Sequence, residues 1–231
     1  DAGYAYISLV VFLASDAASL AGYTLLAVEL LIWWTMQLTC ILTITCLSNM
    51  LKKYANNPKR QFFNADTPIS RVWFFMLIYK VVLPSMSAVS LLLAIYWAAD
   101  VFNLSDTTWH IFNEPLINTT KITLSILQVE QVIILYYVFS YLNHTAINAM
   151  RYHLTNKEKR HAASENRKPN DQAVISQAAM WRNVIQVLVW GIWLLTAMTI
   201  FNINNTWLVA ISAGLSTGIG FAMKDILENI Y

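Results

Sequence analysis

Four ionisable side chains lie within or at the edges of long apolar runs of this 231-residue sequence: Glu29, Lys80, Glu130 and Arg182. Charged groups at membrane depth are costly and usually functional, and such groups could relay protons or ions in a transporter. Lys80, however, lies on the inner side of its predicted helix centre and Glu130 on the outer side of its own, about 15 Å apart along the membrane normal. We therefore interpret Lys80 and Arg182 as side chains whose charged ends reach the headgroups.

The histidines and cysteines do not form a catalytic or metal-binding pattern. The sequence contains no HExxH motif, no zinc-ligand spacing and no paired carboxylates suited to acid and base catalysis. The two cysteines are six residues apart in one apolar run, so they do not face each other on a helix. We predict that the protein is not an enzyme and that it holds no metal and no cofactor. The residues concerned are His110, His144, His153, His161, Cys40 and Cys46.

The composition is that of a membrane protein. Apolar residues make up 57% of the chain and charged residues 12%, and the mean hydropathy is +0.48. A soluble domain of this size would need more polar surface. Several apolar stretches also exceed the roughly 18 residues at which a membrane span is expected. The sequence therefore predicts an all-α integral membrane protein.

Polar interruptions of the apolar runs predict five full transmembrane helices after a truncated first one. The predicted ranges are 2–14, 22–51, 70–99, 119–151, 172–203 and 206–231. Pro84 lies inside the third range and is expected to kink that helix, since it lacks a backbone donor and clashes with the preceding turn. Only a few residues separate the last two helices, which predicts an antiparallel hairpin.

Basic residues are concentrated in two alternate loops. The loop 100–118 between them carries three acidic residues and neither Lys nor Arg, so the positive-inside rule places it outside. The last helix then runs from outside to inside. Basic clusters beside a membrane are topology signals or lipid contacts, and the second loop has one aromatic residue, so no nucleic-acid partner is predicted. The two loops contain Lys52, Lys53, Lys59, Arg60 and Arg71, then Arg151, Lys157, Lys159, Arg160, Arg167 and Lys168.

The last helix is unusually rich in small residues. Ala210, Gly214, Gly218 and Ala222 recur every four residues, whereas Ala213, Thr217 and Gly220 occupy an adjacent face. A face without large side chains lets another helix approach closely. That neighbour could be a helix of the same chain. Small residues on more than one face favour close neighbours on two sides, as in a ring of identical helices.

The run GLSTGIGFAMKDILENIY resembles the pore-lining helix of the small-conductance mechanosensitive channel family. In that family a Gly/Ala-rich segment continues as GFA, then a polar residue, then a hydrophobic stretch that contains Asn. The earlier helices resemble the family only in number, hairpin arrangement and orientation. The matching residues are Gly220, Phe221, Ala222, Asp225, Leu227 and Asn229.

The resemblance implies a homo-oligomer, usually a heptamer, that opens under membrane tension and releases ions and small osmolytes on hypo-osmotic shock. The family's two constricting rings match Thr217 and Phe221; because Thr217 is polar, Phe221 would be the main apolar gate. The resemblance also implies a bacterial inner membrane, lipid as a partner and a cytoplasmic C-terminal end. The small residues Ala210, Ala213, Gly214, Gly218, Gly220 and Ala222 would pack neighbouring pore helices, and Lys224, Asp225 and Asn229 would form the bend and the cytoplasmic end.

The predicted organisation has three parts: peripheral lipid-facing helices in 1–171, a penultimate helix with a short outer turn in 172–205, and the pore-lining helix in 206–231. The chain starts without Met and ends within an amphipathic helix, so we expect a longer protein with a soluble domain after Tyr231. Two alternatives remain open. One is a non-conducting oligomeric membrane anchor, and the other is a transporter that uses the intramembrane residues Glu29, Glu130 and Lys80.

Overall fold

The computed structural model describes residues 2–55, 75–120 and 122–228. The described chain consists of helices, short connections and one hairpin of two two-residue strands, and five of the helices are long and apolar enough to cross a membrane. The predicted all-α class is thereby confirmed, and the long apolar helices are compatible with the predicted multi-pass membrane protein. The chain divides into two compact units, Asp1–Pro115 with Ser125–Ile134, and Leu116–Leu124 with Leu135–Tyr231.

The first unit begins with two antiparallel helices, α1 (Ala2–Leu20) and α2 (Thr24–Ala55). Gly22 at φ 90° reverses the chain between them, in a left-handed conformation that suits glycine. The helix α1 thus extends to Leu20, and the predicted end at residue 14 is wrong. Asp16 does not end it, because the capping bonds form only at Gly22 and Tyr23, whose N–H groups donate to Ser19 and Ala18.

The next two helices of this unit are α3 (Phe75–Asp100) and α4 (Ser105–Asn113). A kink was predicted at Pro84; directly before it the structure has a π-helical turn over Ile78–Val82, in which the N–H of Leu83 donates to the carbonyl of Ile78. The wider turn suits a proline that cannot donate a bond itself. The predicted start of this helix at residue 70 lies outside the described residues.

Small polar groups join the helices of the first unit. The hydroxyl of Ser15 donates to the carbonyl of Ala27 at 2.8 Å, and the indole N–H of Trp34 donates to Ser8 at 2.8 Å. Since every buried polar group in a membrane needs a partner, these bonds hold α1 against α2.

Ile117–Asn118 and Thr123–Leu124 pair as the two strands of a hairpin, and the predicted helix start at 119 is wrong. Strand β1 (Ile117–Asn118) pairs with β2 (Thr123–Leu124), and α5 (Ile126–Ser164) follows. The helix begins at Ile126 because the preceding Ser125 forms a capping box with Gln128: each side chain accepts the other residue's backbone N–H, at 2.9 and 3.2 Å.

The second unit contains most of α5, together with α6 (Asp171–Ile200) and α7 (Asn205–Glu228). The α5–α6 connection is closed by Arg167, which donates to Glu158 and Glu165. These two carboxylates raise the pKa of the exposed Arg167 guanidinium above its ordinary value. The side chain of Asn170 caps α6 by accepting the N–H of Ala173.

Candidate functional site

One face of α7 packs against α6, as the predicted hairpin requires. Leu215 lies against Gly191 of α6 so closely that a Cβ added to Gly191 would be 3.0 Å from both Cδ atoms of Leu215. The missing side chain at Gly191 thus leaves room for Leu215 at this close approach of the two helices. The half-buried residues of α7 recur at helical spacing along this face: Leu208, Ile211, Ser212, Leu215 and Ile219.

The glycines of α7 face away from the rest of the described chain. A Cβ added to Gly214, Gly218 or Gly220 would meet nothing within 4 Å. Ala210 and Ala213 are exposed as well. Packing of these small residues against a helix of the same chain is therefore absent among the described residues. Five of the six predicted packing residues share this exposed surface; the side chain of Ala222 is not described.

The two predicted constriction residues lie on the side of α7 that is opposite to α6. At about 100° per residue, Thr217 is about 200° and Phe221 about 240° around the helix from Leu215. Phe221 is 66% exposed, and Thr217 is exposed too. The hydroxyl of Thr217 donates to the carbonyl of Ala213 at 2.9 Å, so its polar group is satisfied within its own helix.

The helix α7 is continuous from Asn205 to Glu228, and no break in it occurs at Gly220. Its apolar part, Thr206–Phe221, is shorter than that of the five other long helices. Lys224 forms an exposed ion pair with Glu228 at 3.5 Å. The side chain of Asp225 and the whole of Asn229 lie outside the described residues, as does residue 231, at which the predicted helix ends.

An aromatic cluster joins α5 to α6. The ring of Tyr136 lies 5.3 Å from that of Trp190 and 6.1 Å from that of Trp193, measured between centroids. The two tryptophans are themselves 5.9 Å apart at 82°. Gly191, which receives Leu215 of α7, lies between them in the sequence. Nothing in the sequence pattern indicated this contact.

The β1–β2 hairpin forms hydrogen bonds with the turn between α6 and α7. The backbone N–H of Thr123 donates to the carbonyl of Phe201 at 2.9 Å, and the side-chain amide of Asn202 donates to the Thr123 hydroxyl at 3.0 Å. Asn202 adopts φ 50°, a left-handed conformation that ends α6. The β-hairpin thus fixes where the chain reverses.

Two of the ionisable residues of the apolar runs, Glu130 and Lys80, do not come together. Glu130 lines a cavity beside Tyr96 of α3. Since Tyr96 follows Lys80 by 16 residues (96 − 80), Lys80 lies about 24 Å further along the same helix. Glu29 is half-buried and Arg182 is exposed. Within the described part of the chain, no group of three His, Cys, Asp or Glu side chains could hold a metal ion.

Comparisons with other proteins add no family assignment. No protein-family model, no curated protein and no solved structure matches the chain. The functional argument consequently depends on the geometry of α7 and its neighbours.

Proposed function

We propose that the protein is a mechanosensitive ion channel of the small-conductance family, in which α7 lines a homo-oligomeric pore. The observation that carries the proposal is the division of α7 into three surfaces. Leu215 packs on α6, Thr217 and Phe221 lie on the far side, and exposed glycines flank them. A helix in a ring needs this order of surfaces: a support behind it, neighbours on both flanks and the pore in front.

The two flanks differ in position around the helix. Measured as rotation around the helix axis from Leu215, Gly214 lies at about 260° and Gly218 at about 300°, on one flank. Ala213 lies at about 160° and Gly220 at about 140°, on the other flank. All four are exposed. In lipid, helices associate through close backbone approach rather than through the hydrophobic effect, so bare flanks favour contact with further copies of α7. The resemblance suggests seven copies.

Phe221 supplies the gate in this proposal. A ring of exposed Phe221 side chains would narrow the pore and exclude water, and such a constriction closes by dewetting. Thr217, one turn away, would contribute little polarity because its hydroxyl already donates to Ala213. A threonine at the second ring is then compatible with an apolar neck.

Tension would reach the pore through α6. The aromatic cluster of Tyr136, Trp190 and Trp193 ties α5 to α6, and Gly191 seats Leu215 of α7. Lateral tension favours the state that occupies more membrane area, so a tilt of the outer helices shifts a two-state equilibrium. We assign the helices before α6 to the lipid-facing sensor, with lipid as their partner.

The proposed membrane is the bacterial inner membrane. The basic residues at the ends of α2 and α5 favour a cytoplasmic location for those ends, so loop 100–118 faces outward and the C-terminal end of α7 faces the cytoplasm. A soluble domain after Tyr231 is expected for such a channel. Ions and small osmolytes would be the permeants.

An efflux assay tests the function. The full chain is reconstituted into liposomes that contain a small self-quenching dye, and the external osmolarity is lowered in steps. We expect graded dye release, with Phe221→Ser releasing at a smaller downshift and Phe221→Leu behaving like the wild type. Absence of release by the wild type and by Phe221→Ser, with assembly verified, would reject the channel.

A transporter is the second candidate, because Oε1 of Glu130 is buried and has no hydrogen-bond partner among the described residues. Such an oxygen could take up a proton or a cation. Glu130 lies beside Tyr96, and Lys80 lies about 24 Å from Tyr96 along α3. Glu130 and Lys80 therefore could not act as a pair, which weakens the transporter as a candidate. Solute uptake that depends on a proton gradient and is lost in Glu130→Gln would favour it.

A further inference from the structure

A cavity of about 500 Å³ lies in the first unit, between α3, α4 and the start of α5. This volume is within the range of small-ligand sites. Several lining residues are exposed, Val89 at 40% and Trp109 at 53%, so the cavity is open to the surroundings. The proposed pore does not use it.

The cavity combines carboxylates with apolar walls. Asp106 and Glu130 line it, and no Lys, Arg or His is among its lining residues. Oε1 of Glu130 is buried and has no hydrogen-bond partner within the described chain. A buried carboxylate oxygen without a donor is costly, so the site favours a ligand that carries an N–H and a positive charge.

The aromatic residues favour the same ligand. Tyr96 and Trp109 meet edge to face in the cavity wall, with ring centroids 6.4 Å apart. Aromatic faces attract cations. Behind them, Leu92 and Leu93 continue the wall along α3, where an apolar chain could lie. A soluble polar cation would leave this part of the cavity unfilled.

We propose that this cavity binds a primary ammonium group attached to an apolar chain. The ammonium donates to Oε1 of Glu130, Asp106 adds negative charge, and the chain extends along Leu92 and Leu93. A primary ammonium fits better than a quaternary one, which has no N–H to offer. Two sources share this chemistry: a phosphatidylethanolamine headgroup of the adjacent leaflet and a free long-chain amine. The site does not depend on the proposed channel function.

Bromolipid quenching of Trp109 fluorescence tests the proposal. The full chain and its Trp109→Phe variant are reconstituted in phosphatidylcholine vesicles that contain a minor share of brominated phosphatidylethanolamine or brominated phosphatidylcholine. The difference between the two proteins isolates the Trp109 signal. We expect stronger quenching by the brominated phosphatidylethanolamine, and a preference reduced about tenfold or more in Glu130→Gln, because a charge-assisted hydrogen bond is lost.

Glu114→Gln is the matched control, since Glu114 is a glutamate of the same unit but does not line this cavity. It should keep the preference. A third arm adds dodecylamine or dodecyltrimethylammonium to vesicles without phosphatidylethanolamine. Displacement of brominated phosphatidylcholine from Trp109 by the primary amine alone, without a preference for phosphatidylethanolamine, identifies the free amine as the source.

Two results would overturn the proposal. One is equal quenching by both bromolipids together with equal effects of the two soluble amphiphiles. This comparison uses only the wild type and Trp109→Phe, so it holds even where the carboxylate variants fold poorly. The other is a phosphatidylethanolamine preference that Glu130→Gln leaves unchanged.

Discussion

Replacing Gly191 with valine should loosen the α6–α7 hairpin. A Cβ at this position would lie 3.0 Å from Cδ1 and Cδ2 of Leu215. Carbon atoms in good contact are about 3.5–4.0 Å apart, so the helices or the leucine must move by a few tenths of an ångström. Overpacking of this kind typically costs about 1–3 kcal/mol.

A double-mutant cycle separates this clash from other effects. Leu215→Ala removes the atoms that the valine at position 191 would meet. The double variant Gly191→Val, Leu215→Ala should therefore lose less unfolding free energy than the two single variants lose together. We expect a coupling energy of about 0.5–3 kcal/mol. Gly3→Val is the control, because a Cβ at Gly3 meets nothing within 4 Å.

The assay is equilibrium unfolding of the purified full chain in detergent, followed by the fluorescence of its tryptophans. Gly191→Val should unfold at lower denaturant than Gly3→Val, and Leu215→Ala should reduce the difference. Strict additivity of the two changes, or a Gly191→Val protein as stable as the wild type, would refute the proposed contact between α6 and α7.

Three further predictions concern α7 and its turn. Gly218→Leu should leave the unfolding free energy of the chain unchanged but weaken oligomer assembly, since a Cβ at Gly218 meets nothing within 4 Å in the described chain. An oligomer of Gly218→Leu that chemical crosslinking still captures would contradict this prediction. Phe221→Ser should lower the opening tension in patches, because each phenyl group excluded from water contributes about 1.5–3 kcal/mol to the closed state; an unchanged threshold removes Phe221 from the gate. Asn202→Val should lower the free energy of unfolding by about 1–3 kcal/mol more than Asn202→Gly does, because both variants lose the bond to Thr123 but only valine is strained at a φ of 50°.

The membrane class was predictable because it depends on composition and on apolar run length. The α6–α7 hairpin followed from the short gap near Asn202. The start of α5 was missed, although the Ser125–Gln128 capping box is visible in the sequence, because Ile122 and Leu124 before it are apolar as well. A capping bond decides a helix start more strongly than hydropathy does.

The contacts of α7 could not be predicted. Gly191 and Gly214 are both glycines in apolar helices, yet one receives a leucine of the same chain and the other faces away from it. Sequence periodicity shows which residues share a face of a helix, but not which other helix packs on that face. The cluster of Tyr136 with Trp190 was missed for a related reason, since it joins residues that are far apart in the chain.

Patch recording under stepped suction tests the central claim most directly. The full chain is reconstituted in liposomes, its assembly is verified by crosslinking, and excised patches are held at constant voltage while suction increases. The account predicts large openings that appear above a tension threshold and vanish when the suction is released. Silence up to patch rupture, from an assembled protein, would contradict a tension-gated pore lined by α7.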